Sequence, residues 1–515
     1  MNSRLCSSLE PLEARIAPAG IVTVTSSGGS VKIVGDGLDN DISISFGTGS
    51  LINIIGNNGT TISGPGGSSA FLTKDLTIAL GDGRDTVSLA AGNYAGNVTL
   101  DGGAGDNTFS LTGATFIPGT LKVLAGAGTD TLGDTSAGAD LRIGRDLVIK
   151  LGDGGVISTL TAARLLVGGK LSLTGGSGIE DFSWNVTDLI VGSDVSVATG
   201  KGLDRIGFDA SGDVNIGGKL GVKGGDSAPP LMTAIVSASF NLTAGDEMSV
   251  RGPVTANTVA GTAVINLGGT NMTNFGGLSI KTGKGDNTVT LNGATQNYLG
   301  KVSVTAGGPT DFTMQATTFF IGGDLTFKGS AATDGFDLEG AGTITGKASV
   351  DLGAGAGQSL IFKGTGATKY SIAIGGGLAL KQGAKTGNST TTASGIINFK
   401  KFSIATGGAD DAVTLDSLSI IGSTGIALGA GADTFALETQ HVFGAALFSG
   451  AFKLSLGDGA DTSTMGASTA DDKVVLDLDD VLAADGTLDA GKGTDTVSSF
   501  SGLGNTGTLV VLNVP

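Results

Sequence analysis

The sequence predicts an all-β fold: a single-stranded, right-handed parallel β-helix, or β-solenoid, of about seventeen coils. Three observations lead to this prediction. A phrase of glycine, aspartate and threonine returns at intervals of roughly 24 residues, the segments between the glycines alternate apolar and polar residues, and 92 of the 515 residues are glycine. Because periods of about 20–50 residues indicate stacked units, the repeat outweighs the roughly three globular domains that this length would otherwise suggest.

The repeated phrase is a short hydrophobic strand, then Gly-x-Gly, then Asp or Asn, then Thr, then a second hydrophobic strand. Glycine supplies the positive φ angles that tight turns need, and Val, Ile, Leu, Phe and Thr favour strands. The phrase occurs at Leu80–Leu89, Gly103–Leu111, Gly126–Leu132, Gly283–Leu291, Leu428–Leu437, Leu456–Met465 and Ala490–Ser499.

A second half of the unit consists of a strand, a tight glycine turn and another strand, as in Leu165–Gly176 and Phe319–Ser330. Apolar and polar residues alternate in these strands, which directs one side of each strand inward. Two or three strands joined by such turns would close one coil, and stacked coils would pair their strands in parallel about 4.8 Å apart. A β-propeller is a weaker alternative, in which two neighbouring units make one blade.

The repeat divides the chain into an N-terminal targeting or disordered segment at 1–20 and a continuous β-solenoid at 21–515. Irregular stretches near 225–240, 252–274 and 383–397 are expected to be loops that bulge from the rod. Since the open end of a solenoid exposes unpaired strand groups, the first coil and the acidic stretch 471–480 are expected to protect the two ends.

Charge and cysteine content narrow the range of partners. The net charge of −17 argues against nucleic acid and anionic membranes as partners, and it is compatible with cation binding. A single cysteine, Cys6, permits no disulfide within the chain. We expect no membrane-spanning segment, because no apolar run approaches the roughly 20 residues of a membrane helix.

The N-terminal segment carries a recognisable motif. Leu9-Glu10-Pro11-Leu12-Glu13-Ala14-Arg15, followed by Ile16-Ala17-Pro18-Ala19, resembles the LEPLExR segment of large extracellular proteins of planctomycete-type bacteria. The resemblance covers about twenty residues and implies export or display on the cell surface. An extracellular or cell-surface location is therefore expected.

The Gly-x-Gly-x-Asp spacing also resembles, more distantly, the GGxGxDxUx nonapeptide repeats of calcium-binding secreted proteins. In those repeats, carboxylates and turn carbonyls of successive coils enclose the ion. Here the phrases lie about 24 residues apart rather than nine, so aspartates with a purely structural role in the turn are the alternative. If calcium is a cofactor, the candidate ligands are Asp82, Asp85 and Asp106 in one cluster, Asp433, Asp458 and Asp461 in a second, and Asp485, Asp489 and Asp495 in a third.

Residues for catalysis are few. The only histidine is His441, which leaves no set of histidines for a metal site, and neighbouring acids such as Asp410-Asp411 point to opposite faces of a strand. Polysaccharide lyases and hydrolases use β-helices, and Trp184, next to Glu180 and Asp181, is the one place where acids meet a large aromatic ring. We expect Trp184 and most of the 21 phenylalanines to lie in the core.

Together these features predict a secreted or cell-surface repeat protein with a structural or adhesive, non-catalytic role. Its expected partner is a component of the cell surface or extracellular matrix, such as a polysaccharide. A calcium-binding surface protein and a polysaccharide-active enzyme are the two alternatives.

Overall fold

The structure is a computed structural model. It describes residues 19–512, except 135–137, 203, 226–235, 259–260, 366–370, 384–386, 399, 438–445, 449–451, 459, 466–473, 477–485, 490–495 and 501–508. All regular elements of the described residues are β-strands. Within these residues, accordingly, no helix has the length and apolarity to cross a membrane.

The strands are short, and several of them bend where the chain changes direction. The N-terminal strands are β1 Ile21–Ser27, β2 Ser30–Val34, β3 Asp41–Phe46, β4 Leu51–Gly56, β5 Thr61–Ser63 and β6 Ser69–Phe71. They are followed by β7 Leu76–Ala79, β8 Thr86–Asn93, β9 Val98–Asp101, β10 Thr108–Ile117, β11 Leu121–Leu124, β12 Asp130–Asp134, β13 Asp140–Ile143, β14 Leu147–Lys150, β15 Val156–Val167, β16 Leu171–Thr174, β17 Glu180–Val191, β18 Val195–Ala198, β19 Asp204–Ala210, β20 Val214–Ile216, β21 Leu220–Lys223, β22 Val236–Ala244, β23 Glu247–Asn257, β24 Thr262–Gly269, β25 Met272–Lys281, β26 Asn287–Leu291 and β27 Thr295–Tyr298. The remaining strands are β28 Val302–Thr305, β29 Thr310–Ile321, β30 Leu325–Lys328, β31 Asp334–Ile344, β32 Ala348–Asp351, β33 Ser359–Gly364, β34 Ile372–Ile374, β35 Leu378–Lys381, β36 Ser389–Asn398, β37 Lys401–Ala405, β38 Asp411–Ile420, β39 Ser423–Ala427, β40 Thr434–Leu437, β41 Ala446–Phe448, β42 Phe452–Ser455, β43 Thr462–Met465, β44 Val474–Leu476, β45 Gly486–Asp489, β46 Thr496–Phe500 and β47 Leu509–Leu512.

Each regular coil has three faces. In one coil, the first half of β15 lies on face A, its second half lies on face B, and β16 lies on face C. Face A begins after the Gly-x-Gly turn at corner CA, the chain bends into face B at corner AB, and the second glycine turn leads into face C at corner BC. Strands pair in parallel with the same face of the next coil, as in the register from Val156↔Glu180 to Val167↔Val191. The predicted parallel β-solenoid is therefore confirmed.

The number of coils differs slightly from the expected seventeen. Between Leu76 and Ala427 the stacked strands make about 14 turns, and parallel pairs continue beyond both ends of this part. At the N-terminal end, antiparallel pairs β1–β2, β3–β4 and β4–β6 replace the regular unit. Because β2 and β3 also pair in parallel with β7 and β8, these hairpins cover the first edge of the rod.

The core runs along the inside of the rod. Alternate residues of every face point inward, so that Val, Ile, Leu and Phe of successive coils stack on one another. Phe312, Phe336 and Phe362 form a stack on face A, with ring centroids 5.2 Å and 6.2 Å apart. Each large apolar side chain that is fully buried in this way contributes about 1.5–3 kcal/mol.

Two of the three expected loops are largely strand. The stretch 252–274 contains the end of β23, all of β24 and the start of β25, and most of 383–397 belongs to β36. Small residues such as Gly268, Gly269 and Gly277 weaken the apolar alternation there, but parallel neighbours on both sides still supply hydrogen-bond partners. In the third, 225–240, residues 226–235 lie outside the described residues, and β22 begins at Val236.

Candidate functional site

The Gly-x-Gly turns at corner CA bring successive coils into close contact. Gly81, Gly83, Gly103 and Gly105 all have positive φ angles, between 72° and 136°. A Cβ at Gly103 would overlap the carbonyl oxygen of Gly81 one coil earlier. Glycine is therefore required in these turns both by the backbone angle and by the spacing of the coils.

The polar residue that follows each of these turns points into the coil. We call this set the inner column. Its members are only 0–3% exposed, although most are acids or amides. The inner column comprises Asn40, Asp85, Asn107, Asp130, Glu180, Asp204, Asn287, Thr310, Asp334, Gln358, Ser389, Asp411, Asp433 and Asp461.

In many coils, the backbone N–H at this position donates to the inner-column side chain of the next coil. The backbone N–H of Asn40 donates to Oδ1 of Asp85 at 2.8 Å, and that of Asn107 donates to Oδ1 of Asp130 at 3.1 Å. The same bond runs from Asp411 N–H to Asp433, at 2.8 Å. The aspartate of the repeated phrase thus accepts a backbone N–H that would otherwise be buried without a partner.

Amides alternate with acids in the first part of the column. Nδ2 of Asn107 donates to Oδ1 of Asp130 at 3.0 Å and to the carbonyl of Gly105 at 2.9 Å. Nδ2 of Asn40 donates to Oδ1 of Asp85 at 3.2 Å. Since an amide both donates and accepts, it separates two buried carboxyls and bonds to both coils.

Burial shifts the proton affinity of these acids. Desolvation raises the pKa values of Asp85, Asp130 and Asp433 to about 6. The pKa of Glu180 is also raised, first by burial and then by its hydrogen bond with the carboxyl of Asp204 in the next coil. Between about pH 4 and pH 6, the inner column therefore holds protons that exposed carboxylates would have lost.

The candidate calcium ligands do not converge. Asp85 points inward, Asp82 is exposed, and Asp106 is exposed with its Oδ1 accepting the backbone N–H of Thr129 at 2.8 Å. In the second cluster, Asp433 and Asp461 lie in the inner column, whereas Asp458 is exposed at the turn.

For the third cluster, Asp485 and Asp495 lie outside the described residues and Asp489 ends β45. Among the described residues, no group of three or more His, Cys, Asp or Glu side chains is placed to hold a metal ion. Calcium as a cofactor stays a prediction.

The sequence-based reasoning overlooked part of the inner column. Asn40, Glu180, Asp204, Asp334 and Asp411 occupy it, but none was singled out as a site residue. Their position in the repeat could have identified them. Each is a polar residue at the start of a face A strand and takes the place of the aspartate in the repeated phrase.

Trp184 and most of the described phenylalanines lie in the core, as expected, whereas Phe71, Phe116 and Phe320 are exposed. Trp184 is 1% exposed, and its Nε1 donates to Oγ of Ser158 at 2.9 Å. Tyr94 and Tyr298 are also buried. His441, Cys6 and Tyr370 lie outside the described residues.

Several cavities lie along corner AB, where the chain bends between two faces. Their volumes are about 400, 410 and 630 Å³. The largest is lined by Gln315, Glu339 and Thr365, among others. Beside it, Nε2 of Gln315 donates to Oδ2 of Asp337 at 3.0 Å, and Nζ of Lys363 lies 3.7 Å from Oε1 of Glu339.

The two acids beside this cavity have different surroundings. Partial burial, together with the nearby Glu339 carboxylate, raises the pKa of Asp337. Oδ1 of Asp337 is buried without a hydrogen-bond partner. Glu339 instead forms an ion pair with Lys363.

Comparison of the chain with protein-family models, with curated proteins and with solved structures finds no match.

Proposed function

We propose that the protein is a secreted or cell-surface rod with a structural or adhesive, non-catalytic role. The observation that carries the proposal is the parallel register, which repeats the same surface position at every coil over about 14 turns. Such an array can contact a polymer or a cell surface at many places at once. Weak contacts then add up to strong attachment, because each one raises the effective concentration of the next.

The corner hydrogen bonds support a mechanical role for the rod. At corner BC, Asp146 accepts the backbone N–H of Lys170 at 2.7 Å, and Asp324 accepts that of Lys347 at 2.8 Å. Together with the inner column, these bonds hold neighbouring coils to one another at two corners. A rod that is fixed in this way transmits force along its axis without relying on disulfides.

The experiment is to locate the protein in the producing cells and to delete its gene. We expect antibody labelling of intact cells, loss of the label after external protease treatment, and weaker cell attachment or an altered envelope in the deletion strain. Complementation with the intact gene is the control. A protein that is protected inside intact cells would contradict the proposal.

A second candidate function is a polysaccharide-active enzyme at corner AB. The observation that favours it is the pairing of Asp337 and Glu339 beside the cavity of about 630 Å³. Two neighbouring carboxyl groups, one of them with a raised pKa, are the kind of pair that glycoside hydrolysis uses.

Release of reducing sugar from a panel of polysaccharides tests this candidate. Turnover that Asp337→Asn and Glu339→Gln both abolish would support it. Turnover that is unchanged in both variants would come from elsewhere and would refute this site.

A further inference from the structure

The basic residues of this acidic protein are concentrated on one side. The net charge is −17, yet more than half of the described lysines and arginines lie on face C or at corner BC, all of them exposed. We call this surface the basic strip. It comprises Lys32, Lys74, Lys122, Arg145, Lys150, Lys170, Lys219, Lys223, Arg251, Lys281, Lys301, Lys328, Lys347, Lys381, Lys400, Lys401 and Lys453.

The strip has two rows of cations with hydroxyls between them. One row stands at corner BC, directly before the face C strands, and includes Lys170, Lys219 and Lys347. The other row stands at the end of these strands. Between the rows lies a line of small hydroxyl residues in parallel register, which includes Ser279, Ser303, Thr326 and Ser349.

The second row has a regular spacing. Lys281 is in register with Thr305, Thr305 with Lys328, Lys328 with Asp351, and Asp351 with Lys381. A lysine therefore occurs on every second coil, which corresponds to about 10 Å along the rod. This is a periodic line of charge rather than a local cluster.

The acids of this surface are turned towards the backbone. Asp146, Asp194 and Asp324 each accept the backbone N–H of the lysine one coil later, at 2.7–2.9 Å. These carboxylates are thus hydrogen-bonded to the backbone of the turn, whereas the lysine side chains are exposed to solvent. Asp351 is different, because it forms an ion pair with Lys381 at 3.1 Å.

We infer that the basic strip binds a linear anionic polysaccharide laid along the rod. Lysine ammonium groups pair with carboxylate or sulfate groups, and the serine and threonine hydroxyls can bond to sugar hydroxyls between them. The inference rests on the proposed surface role, and it names the binding face and the charge of the ligand.

Two other occupants fit the strip less well. Single-stranded nucleic acid is usually bound by stacking on aromatic rings, and none of the outward residues of face C in the described part of the chain is aromatic. A second copy of this chain also carries a net charge of −17, so the two copies repel each other at long range.

The test uses the full-length protein and fluorescently labelled polygalacturonate as the anionic probe, with a neutral galactan as the uncharged comparison. We expect binding of the anionic probe only, with affinity that falls steeply as salt rises, because binding releases counterions. The strip variant combines Lys223→Gln, Lys281→Gln, Lys328→Gln and Lys381→Gln. The matched control removes the same charge away from the strip, with Lys201→Gln, Arg205→Gln, Lys284→Gln and Lys363→Gln.

The strip variant should lose at least about tenfold in affinity and the matched control less than about twofold. Equal losses in both, or binding that does not depend on salt, would overturn the inference. Duplex DNA that binds as tightly as polygalacturonate would also contradict the inference, because it would show that the strip attracts any polyanion. A salt-sensitive doubling of mass that the strip variant abolishes would contradict it too, because a second copy of the chain would then be the occupant. Neither result would affect the localisation test, so failure of the strip can be distinguished from failure of the surface role.

Discussion

The aspartate of the Gly-x-Gly-x-Asp phrase lies where a calcium ligand was expected, but its side chain faces the other way. Asp85 and Asp130 are at most 1% exposed and accept backbone N–H groups from the preceding coil. A carboxylate, a carboxylic acid and an amide oxygen can all accept such a bond. This explains why Asn107 occupies the same column as the acids around it.

Asn107→Asp tests the role of the amide in the inner column. The change removes the Nδ2 bonds to Asp130 and Gly105 and places a third buried carboxyl between Asp85 and Asp130. We expect a loss of at least about 2 kcal/mol in the free energy of unfolding at neutral pH. Thermal or urea unfolding, followed by circular dichroism, measures it.

Asn97→Asp is the matched control. Asn97 accepts the N–H of Thr120 at 2.9 Å, but it is exposed at corner BC, where Asp146 serves the same role in another coil. This change should cost less than about 1 kcal/mol. Equal effects of the two substitutions would contradict a special role for the buried amide.

The buried acids also predict how stability depends on pH. In the unfolded chain these carboxyls ionise near their ordinary pKa of 3.8, whereas in the folded rod the pKa of Asp130 is about 6. Between these values the folded state holds more protons than the unfolded state, so stability falls as pH rises through this window. The melting temperature should therefore be higher near pH 4 than near pH 7.

Asp130→Asn separates this effect from general charge repulsion. At neutral pH the variant should be more stable than the parent by on the order of 1–3 kcal/mol, since no buried group then has to ionise. Near pH 4 the two should be alike. Asp82→Asn removes the same charge from an exposed turn and should leave the pH dependence unchanged; a similar flattening in both variants would refute the explanation.

At the scale of the coil, glycine determines how closely neighbouring turns stack. A Cβ at Gly200 would overlap the carbonyl oxygen of Gly176 one coil earlier, whereas a Cβ at Gly425 on face C would have no atom within 4 Å. The same residue type is therefore essential at a corner and dispensable on a face.

Gly200→Ala should destabilise the rod by about 3 kcal/mol or more, because two backbones would have to separate. Gly425→Ala should be neutral or should stabilise by up to about 1 kcal/mol, since alanine restricts the unfolded chain without a clash. Melting temperatures of the two variants decide between these outcomes. A tolerant Gly200 would mean that the coils are not in close contact there.

A strand could be predicted from the sequence where its own residues alternate between apolar and polar. The alternation in Leu171-Ser172-Leu173 predicts a half-buried strand, and β16 shows it. In Ala263–Gly269 the small residues weaken the alternation of apolar and polar residues. There, hydrogen bonds to the parallel neighbouring strands determine the strand, rather than the strand propensity of its own residues. The inner column was less predictable, because the spacing of an aspartate in a turn does not reveal whether its side chain points into the coil or out of it.

At the scale of the whole molecule, the protein separates its charges by face. The inner column and the exposed Asp82, Asp106 and Asp458 lie at corner CA, whereas more than half of the described lysines and arginines lie on face C or at corner BC. The spacing of these charges is regular because the coil is regular: from Lys223 to Lys381, a lysine recurs on every second coil at the end of face C. A polymer that follows this row of lysines meets the same chemistry along the rod.

The end of a solenoid exposes strand edges that can pair with the end of a second molecule, so these edges have to be covered. The antiparallel hairpins of β1 to β6 cover the edges of β7 and β8, so a chain that begins at Thr73 would expose two parallel strand edges. Such edges pair with other chains. We expect this truncated rod to form end-to-end oligomers, whereas the full chain does not associate through this end.

Size-exclusion chromatography with light scattering measures this association, and gatekeeper lysines provide the control. Thr77→Lys and Ser88→Lys place charges on the newly exposed edge strands, at positions that point away from the core. They should return the truncated rod to a monomer, because edge lysines oppose strand pairing. If oligomers persist with these lysines, the association does not use the uncovered edge, and the hairpins have another role.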